Sequence, residues 1–265
     1  MGNFITEHTD AFRKVGFYSK GMVYSLVGIL TGMAVLGLGG DINGKKGVIH
    51  FFLELPGGQI LASIVAIGLS AYSVWRYTEA LNHLSELKED KAKIGTRIRY
   101  LFSGTTYLLL AYSFIKPLLN KSTGGNSKQT GLAKVLDYDW GFYIVLVIAL
   151  LVLGSALFQW YLGYTGKFMK KVDKADQDKA YMTVRRLGQA GYFSRGIVFL
   201  ILTYFMTKVA FEHNANNYKG TKGAFQYLLE QPLGSILLGI VATGLFGYGI
   251  FCMYVARHTD FTTDG

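Results

Sequence analysis

Two basic residues, Lys20 and Arg195, occupy equivalent positions in two near-copies of one motif, GFYSKG at 16–21 and GYFSRG at 191–196. A cation inside an apolar segment is costly, and by default it indicates a function such as holding an anion or pairing with a carboxylate. Near a helix end the cost is far smaller, because the long side chain can reach the membrane surface. Two interpretations stay open: residues that snorkel or anchor a phospholipid headgroup, and inward-facing residues that hold an anion or pair with a carboxylate.

A second set of equivalent residues is acidic. Glu54 and Glu230 are repeat mates, and Asp137 or Asp139 takes the corresponding place in the middle of the chain. If three hairpins surround one axis, these carboxylates would lie at its outer mouth, where charged rings select ions in channels. The alternative is the polar face of an interfacial helix, which carries such residues in any case.

Other site chemistries find little support in the sequence. The single cysteine, Cys252, excludes an intramolecular disulfide and a metal site built from several cysteines. The five histidines lack the spacing and the mid-span positions that metal or haem ligation would need. We therefore expect no enzymatic activity, no metal and no cofactor.

The elements that carry these residues belong to an internal repeat, the first feature to establish in any chain that has one. Gly16 matches Gly191, and the turn at Pro56 matches the turn at Pro232. A degenerate third copy lies between them, with Ser103 where the other copies have a basic residue. We place three units in one membrane domain, at residues 11–82, 92–166 and 186–258.

Each unit holds two apolar segments of about 20 residues, the length that a helix needs to cross a bilayer. Charged residues make up 17% of the chain, against about 25% in soluble domains. The predicted fold is all-α, with six transmembrane helices as three parallel helical hairpins in a pseudo-threefold arrangement. The predicted spans are 17–38, 58–80, 98–118, 141–164, 192–211 and 233–256.

A short amphipathic segment precedes the second span of each unit. These segments are too short to cross a membrane and apolar enough to lie in its interface. They comprise residues 47–54, 131–137 and 223–230.

Basic residues are distributed unevenly over the predicted loops. The side that holds both termini carries 18 of the 27 Lys and Arg residues, which places both termini in the cytoplasm. The net charge of +10 is therefore mostly a topology signal, with an attraction to anionic headgroups on the cytoplasmic side. We expect no nucleic-acid partner, because the basic residues flank spans and form no soluble module.

The chain resembles the bacterial six-span family catalogued as domain of unknown function 1206. The likeness covers nearly the whole chain and all three units, and its middle unit departs at Ser103. It implies a multi-pass protein of the bacterial inner membrane, with no established activity and no catalytic residues to carry over. The residues that carry it are 16–21, 191–196, 56–58, 232–234 and the Ala-x-Gly-Leu runs at Ala66 and Ala242.

Two classes of function remain. One is a small solute or ion pathway, a channel or transporter built from parallel repeats about an axis along the membrane normal. The other is a non-conducting module that interacts with lipids or organises a partner, including a second copy of the chain as a homo-oligomer. The directions of Lys20, Arg195, Glu54 and Glu230 discriminate between them: convergence on an enclosed wet cavity favours the pathway, and an orientation toward lipid headgroups favours the module.

Overall fold

A computed structural model describes residues 2–85, 92–119, 127–138, 140–169 and 179–258. These residues form helices joined by short connections, so the all-helical prediction is confirmed across the described part of the chain. The helices are α1 (Gly2–Val35), α2 (Lys45–Glu54), α3 (Gly58–Ser85), α4 (Ala92–Leu118), α5 (Ser127–Leu136), α6 (Gly141–Thr165), α7 (Lys179–Glu212), α8 (Gly220–Leu229) and α9 (Gly234–His258).

The order long, short, long occurs three times, and the second long helix of each unit begins within one residue of its predicted start. The largest differences lie at the beginnings of α1 and α7. Both helices start more than ten residues before the predicted spans, at Gly2 and Lys179. Hydropathy marks only the apolar part of a helix, whereas the backbone hydrogen-bond ladder continues through polar residues that favour the helix.

Four helices of the described chain are long and apolar enough to cross a membrane. The other two long helices, α1 and α4, fall outside this set. Lys20 within the apolar part of α1 and Lys116 near the end of α4 lower their hydropathy. The four qualifying stretches are Gly58–Leu81, Gly141–Thr165, Tyr181–Glu212 and Gly234–His258.

The long helices pack side by side. α1 packs against α3 and α9, α7 packs against α9 and α6, and α4 packs against α3. The two long helices of the middle unit, α4 and α6, share no extended interface over their described residues. The short helices cover one end, with α2 against α1 and α3, α5 against α6, and α8 against α7 and α9. Over the described residues, the long helices therefore pack in the order α4, α3, α1, α9, α7 and α6.

Each short helix is joined to the following long helix by a tight turn that needs glycine. A Cβ at Gly58, Gly141 or Gly234 would lie 1.6, 1.9 or 2.2 Å from a carbonyl oxygen of the preceding short helix. These distances are far below van der Waals contact, so only glycine fits without a backbone shift. The three turns therefore have one design, although the middle turn lacks the proline of the other two.

Candidate functional site

Lys20 and Arg195 lie inside the helix bundle. Each stands roughly four to five turns into its helix, because α1 begins at Gly2 and α7 at Lys179. Their side chains are only 5% and 8% exposed. The two cations therefore face the protein interior and do not extend along the surface to a helix end.

The serine before each cation brings the two long helices of its unit together. A Cβ at Gly68 would lie 1.8 Å from Oγ of Ser19, and a Cβ at Gly244 would lie 2.0 Å from Oγ of Ser194. Each serine is buried against the glycine of the second helix. Small residues on both sides permit this close approach, as is typical of membrane helix pairs.

The glycine at the start of each motif fixes a tyrosine beside the cation. A Cβ at Gly16 would lie 2.4 Å from Cβ of Tyr72, and a Cβ at Gly191 would lie 2.3 Å from Cβ of Tyr248. Tyr72 and Tyr248 are fully buried repeat mates. The motif therefore positions an aromatic ring as well as a charge.

Four aromatic rings surround the ammonium group of Lys20. All lie within the distance of about 6 Å at which a cation is attracted to a ring face. From Nζ to the ring centroids the distances are 5.1 Å for Tyr248, 5.3 Å for Tyr107, 5.4 Å for Tyr72 and 5.5 Å for Phe17.

The guanidinium group of Arg195 contacts three rings, one of which it shares with Lys20. Its Cζ lies 4.3 Å from the centroid of Tyr248, 5.1 Å from Tyr24 and 5.8 Å from Phe199. Tyr248 therefore joins the two repeat-equivalent cations in one site.

The rings also obey the repeat. Tyr24, Tyr107 and Phe199 each stand three residues after the last glycine of the motif in their unit. Lys20 of the first unit contacts Tyr107 of the second, and Arg195 of the third contacts Tyr24 of the first. Each cation thus reaches the equivalent ring of the next unit in cyclic order.

The last glycine of the motif, which follows the cation in the first and third units and Ser103 in the middle unit, packs against a helix of another unit. A Cβ at Gly21 would lie 2.8 Å from a carbonyl oxygen of α9. One at Gly104 would lie 3.1 Å from the ring of Tyr77 on α3, and one at Gly196 would lie 2.2 Å from the ring of Trp160 on α6. The last glycine of the motif therefore packs the units against one another. The first glycine and the serine of the motif pack the two long helices within a unit.

Two further cations extend this site, and the sequence analysis did not single them out. The Nζ of Lys45, the first residue of α2, lies 5.2 Å from the ring centroid of Tyr24. Arg76 donates hydrogen bonds of 2.6 and 3.0 Å to the hydroxyl of Tyr72. We call Lys20, Lys45, Arg76 and Arg195 the cation cluster.

No carboxylate neutralises the cation cluster within the described chain. An ion pair of the described residues lies elsewhere, between Lys208 and Glu212, and no described carboxylate pairs with any of the four cluster cations. Nε of Arg195 is buried and has no hydrogen-bond partner among these residues. Burying a charge without a counter-ion is unfavourable, and ring faces offset only part of the cost. The cluster can therefore attract and hold a negatively charged group.

The acidic candidates that the structure describes are exposed. Glu54 ends α2, Glu230 follows α8 and Asp137 follows α5, so they occupy equivalent places at the ends of the short helices. Within the described residues, no hydrogen bond or ion pair joins one to another. Asp139 lies outside the described residues. An acidic ring at an outer mouth stays a prediction.

The described residues contain no group of three or more His, Cys, Asp and Glu side chains that could hold a metal ion. Cys252 is a free thiol buried in α9. Its neighbourhood includes the rings of the site, since Tyr248 lies one helical turn before it.

Comparison with known proteins confirms the family resemblance. The family described as Domain of Unknown Function (DUF1206) matches three segments, residues 15–83, 98–166 and 190–258. The chain is also similar to "Uncharacterized protein YxxB" of Bacillus subtilis (strain 168), with 28% identity over 243 residues that cover 91% of this chain and 88% of the relative. No solved structure matches it.

Proposed function

This chain belongs to the DUF1206 family, and from that premise we propose that it forms a pathway for a small solute or ion across the bacterial cytoplasmic membrane. One observation carries the proposal: Lys20 and Arg195 converge on Tyr248 inside the bundle without a carboxylate partner among the described residues. Residues that served only as topology signals would do so equally well in the adjoining loops. Ionisable groups inside membrane bundles instead mark ion and substrate routes.

In this proposal all six long helices cross the membrane as three parallel hairpins about a pseudo-threefold axis. The cyclic contacts of Gly21, Gly104 and Gly196 with helices of other units support it. The lower hydropathy of α1 fits the same architecture, because Lys20 faces the interior of the bundle and not the lipid. No enzymatic role is proposed.

The uneven distribution of basic residues supports cytoplasmic termini. The test is labelling of single cysteines with a membrane-impermeant reagent in a Cys252→Ala background. Positions 43, 126 and 217 should label from outside intact cells, whereas positions 90 and 175 should label only after permeabilisation. Labelling of position 90 or 175 from outside would contradict this topology.

A second candidate function is a non-conducting module that binds anionic lipid headgroups on the cytoplasmic side or organises a partner, including a second copy. The surface of α6 favours it. This helix buries mainly small residues such as Ala149 and Ala156, and it leaves Val147, Leu150 and Leu157 exposed. Such a surface can pack against a helix of a partner in the membrane, including a second copy.

Flux through proteoliposomes tests the pathway. Stopped-flow light scattering registers the net entry of permeant salts or neutral solutes after an osmotic step. We expect Lys20→Gln with Arg195→Gln to lower the flux at least about tenfold, a difference of ~1.4 kcal/mol, because the route loses its two buried charges.

The matched control is Arg186→Gln with Arg257→Gln, which removes two exposed cations from α7 and α9. It should leave the flux unchanged. Equal flux in both double variants would show that Lys20 and Arg195 take no part in the pathway. Absence of flux from the unsubstituted protein for every solute would favour the non-conducting module.

A further inference from the structure

A small pocket is lined in part by two members of the cation cluster, Lys45 and Arg195. Its walls come from α1, α7 and α9 and from the short helices α2 and α8. Its polar lining consists of Lys45, Arg195, Tyr24 and Thr221, and its remaining walls are apolar side chains such as Leu245. Its volume is about 40 Å³, enough for a few water molecules or one small anion.

We propose that this pocket binds a small inorganic anion between Arg195 and Lys45, with the hydroxyl of Thr221 as a further donor. The repeat predicted Arg195 as a candidate site residue, but it predicted neither Lys45 nor Thr221. The role of this pocket as the site where the pathway binds its solute rests on the proposed function. Anion binding by itself requires no transport.

The state of Arg195 carries the inference. The guanidinium is nine-tenths buried, and rings of Tyr248 and Tyr24 lie within cation–π distance of it. Its N–H groups lie in the guanidinium plane, and Nε has no partner within the described structure. A buried donor left unpaired costs about 1–3 kcal/mol, and more when it is charged. An anion in the pocket, which Arg195 lines, would compensate the charge of the guanidinium.

Lys45 supplies the second charge from a different element. Its ammonium lies near the ring of Tyr24, which Arg195 also contacts, so the two cations share one tyrosine as a neighbour. Neither forms an ion pair with a described carboxylate. Two cations that face one pocket repel each other unless an anion lies between them. The pocket chemistry therefore selects negative charge.

The size and the walls of the pocket favour a monovalent inorganic anion. Apolar walls provide few substitutes for a hydration shell, so a weakly hydrated anion such as chloride or nitrate loses least on entry. The phosphate of a lipid headgroup presents related chemistry from another source. Its glycerol and acyl chains would have to remain outside a volume of about 40 Å³.

Thermal unfolding of the purified protein in an uncharged detergent tests the proposal. At constant ionic strength, chloride or nitrate replaces gluconate, and a ligand that binds only the folded state raises Tm with its concentration. We expect a rise of roughly 5 °C at a hundredfold excess over Kd. Lys45→Gln and Arg195→Gln should abolish the rise.

Neighbouring cations provide matched controls. Lys46→Gln on α2 and Arg186→Gln on α7 remove exposed cations from the same helices and should keep the rise. If Arg195→Gln does not give a monodisperse protein, Lys45→Gln decides. A rise that persists in Lys45→Gln, or that only phosphatidylglycerol micelles produce, would overturn the proposal.

The two proposals fail separately. Anion-dependent stabilisation that Lys45→Gln abolishes, in a protein without flux, would retain the anion site and reject the pathway. Flux of a solute without any stabilisation by chloride, nitrate or inorganic phosphate would retain the pathway and reject the anion site.

Discussion

The first and third units hold their two long helices in close contact, whereas the middle unit does not. In the first unit the contact consists of two pairs, Gly16 with Tyr72 and Ser19 with Gly68, and the third unit repeats both pairs. The first two matched family segments have equal length, so a constant offset gives the corresponding middle-unit residues. They are Arg99, Phe102, Leu151 and Ser155.

These replacements explain why α4 and α6 stand apart. At three of the four positions a glycine or serine gives way to a larger side chain, so the close approach seen in the other units is sterically excluded. The fourth position exchanges the buried tyrosine for Ser155, whose hydroxyl donates to a carbonyl of its own helix. The guanidinium of Arg99 instead stacks on the ring of Phe158, 4.8 Å from its centroid.

The comparison separates two roles that the repeat combines. The middle unit keeps Gly104, which receives α3, and Gly141, which forms the turn into α6. It has lost the residues that close its own hairpin and that place a cation in the interior. Packing between units therefore depends on one set of positions, and the cation cluster depends on another.

The largest expected effect on stability comes from filling the close contacts of the closed hairpins. Gly16→Ala or Gly191→Ala would put a Cβ within 2.5 Å of Tyr72 or Tyr248, and overpacking of this kind costs about 1–3 kcal/mol. Unfolding in dodecyl sulfate mixed micelles, followed by far-ultraviolet circular dichroism, should show the loss in both variants.

Gly154→Ala on α6 is the control from the open middle unit. No atom of the described structure lies within 4 Å of a Cβ at this position, and alanine favours a helix by roughly 0.5–1 kcal/mol over glycine. It should leave the protein as stable or slightly more stable. Equal losses in all three variants would erase the contrast between the closed and open hairpins.

The sequence predicted the helices and the repeat well, because apolar runs and glycine turns are local signals. It also identified Lys20 and Arg195, since two copies of one motif place both in the same setting. Hydropathy could not predict that these side chains face the bundle interior, because it treats a cation near a predicted span end as a snorkelling residue. The earlier beginnings of α1 and α7 placed them deep in their helices instead.

The rest of the site depends on contacts between distant elements. Lys45 resembles an ordinary loop cation until α2 folds back onto α1 and brings it to Tyr24. Tyr72 and Tyr248 matched the aromatic belts of membrane proteins as well as they matched a site. One feature of the sequence could have identified rings of the site: an aromatic residue stands three positions after the last glycine of the motif in every unit.

The smallest expected effect distinguishes the two closed units at their turns. Gly57 and its repeat mate Leu233 adopt left-handed backbone angles, with φ of 72° and 60°, a conformation that costs a residue with a Cβ about 1–2 kcal/mol. The side chain of Leu233 is 72% exposed, so its removal sacrifices little packing. Because glycine loses more backbone entropy on folding, we expect Leu233→Gly to stabilise the protein by a net ~0.5–1 kcal/mol. Gly57→Leu should destabilise it by a similar amount in the same micelle titration. A loss of stability in Leu233→Gly would instead identify Leu233 as an anchor in the membrane interface and make the two turns functionally different.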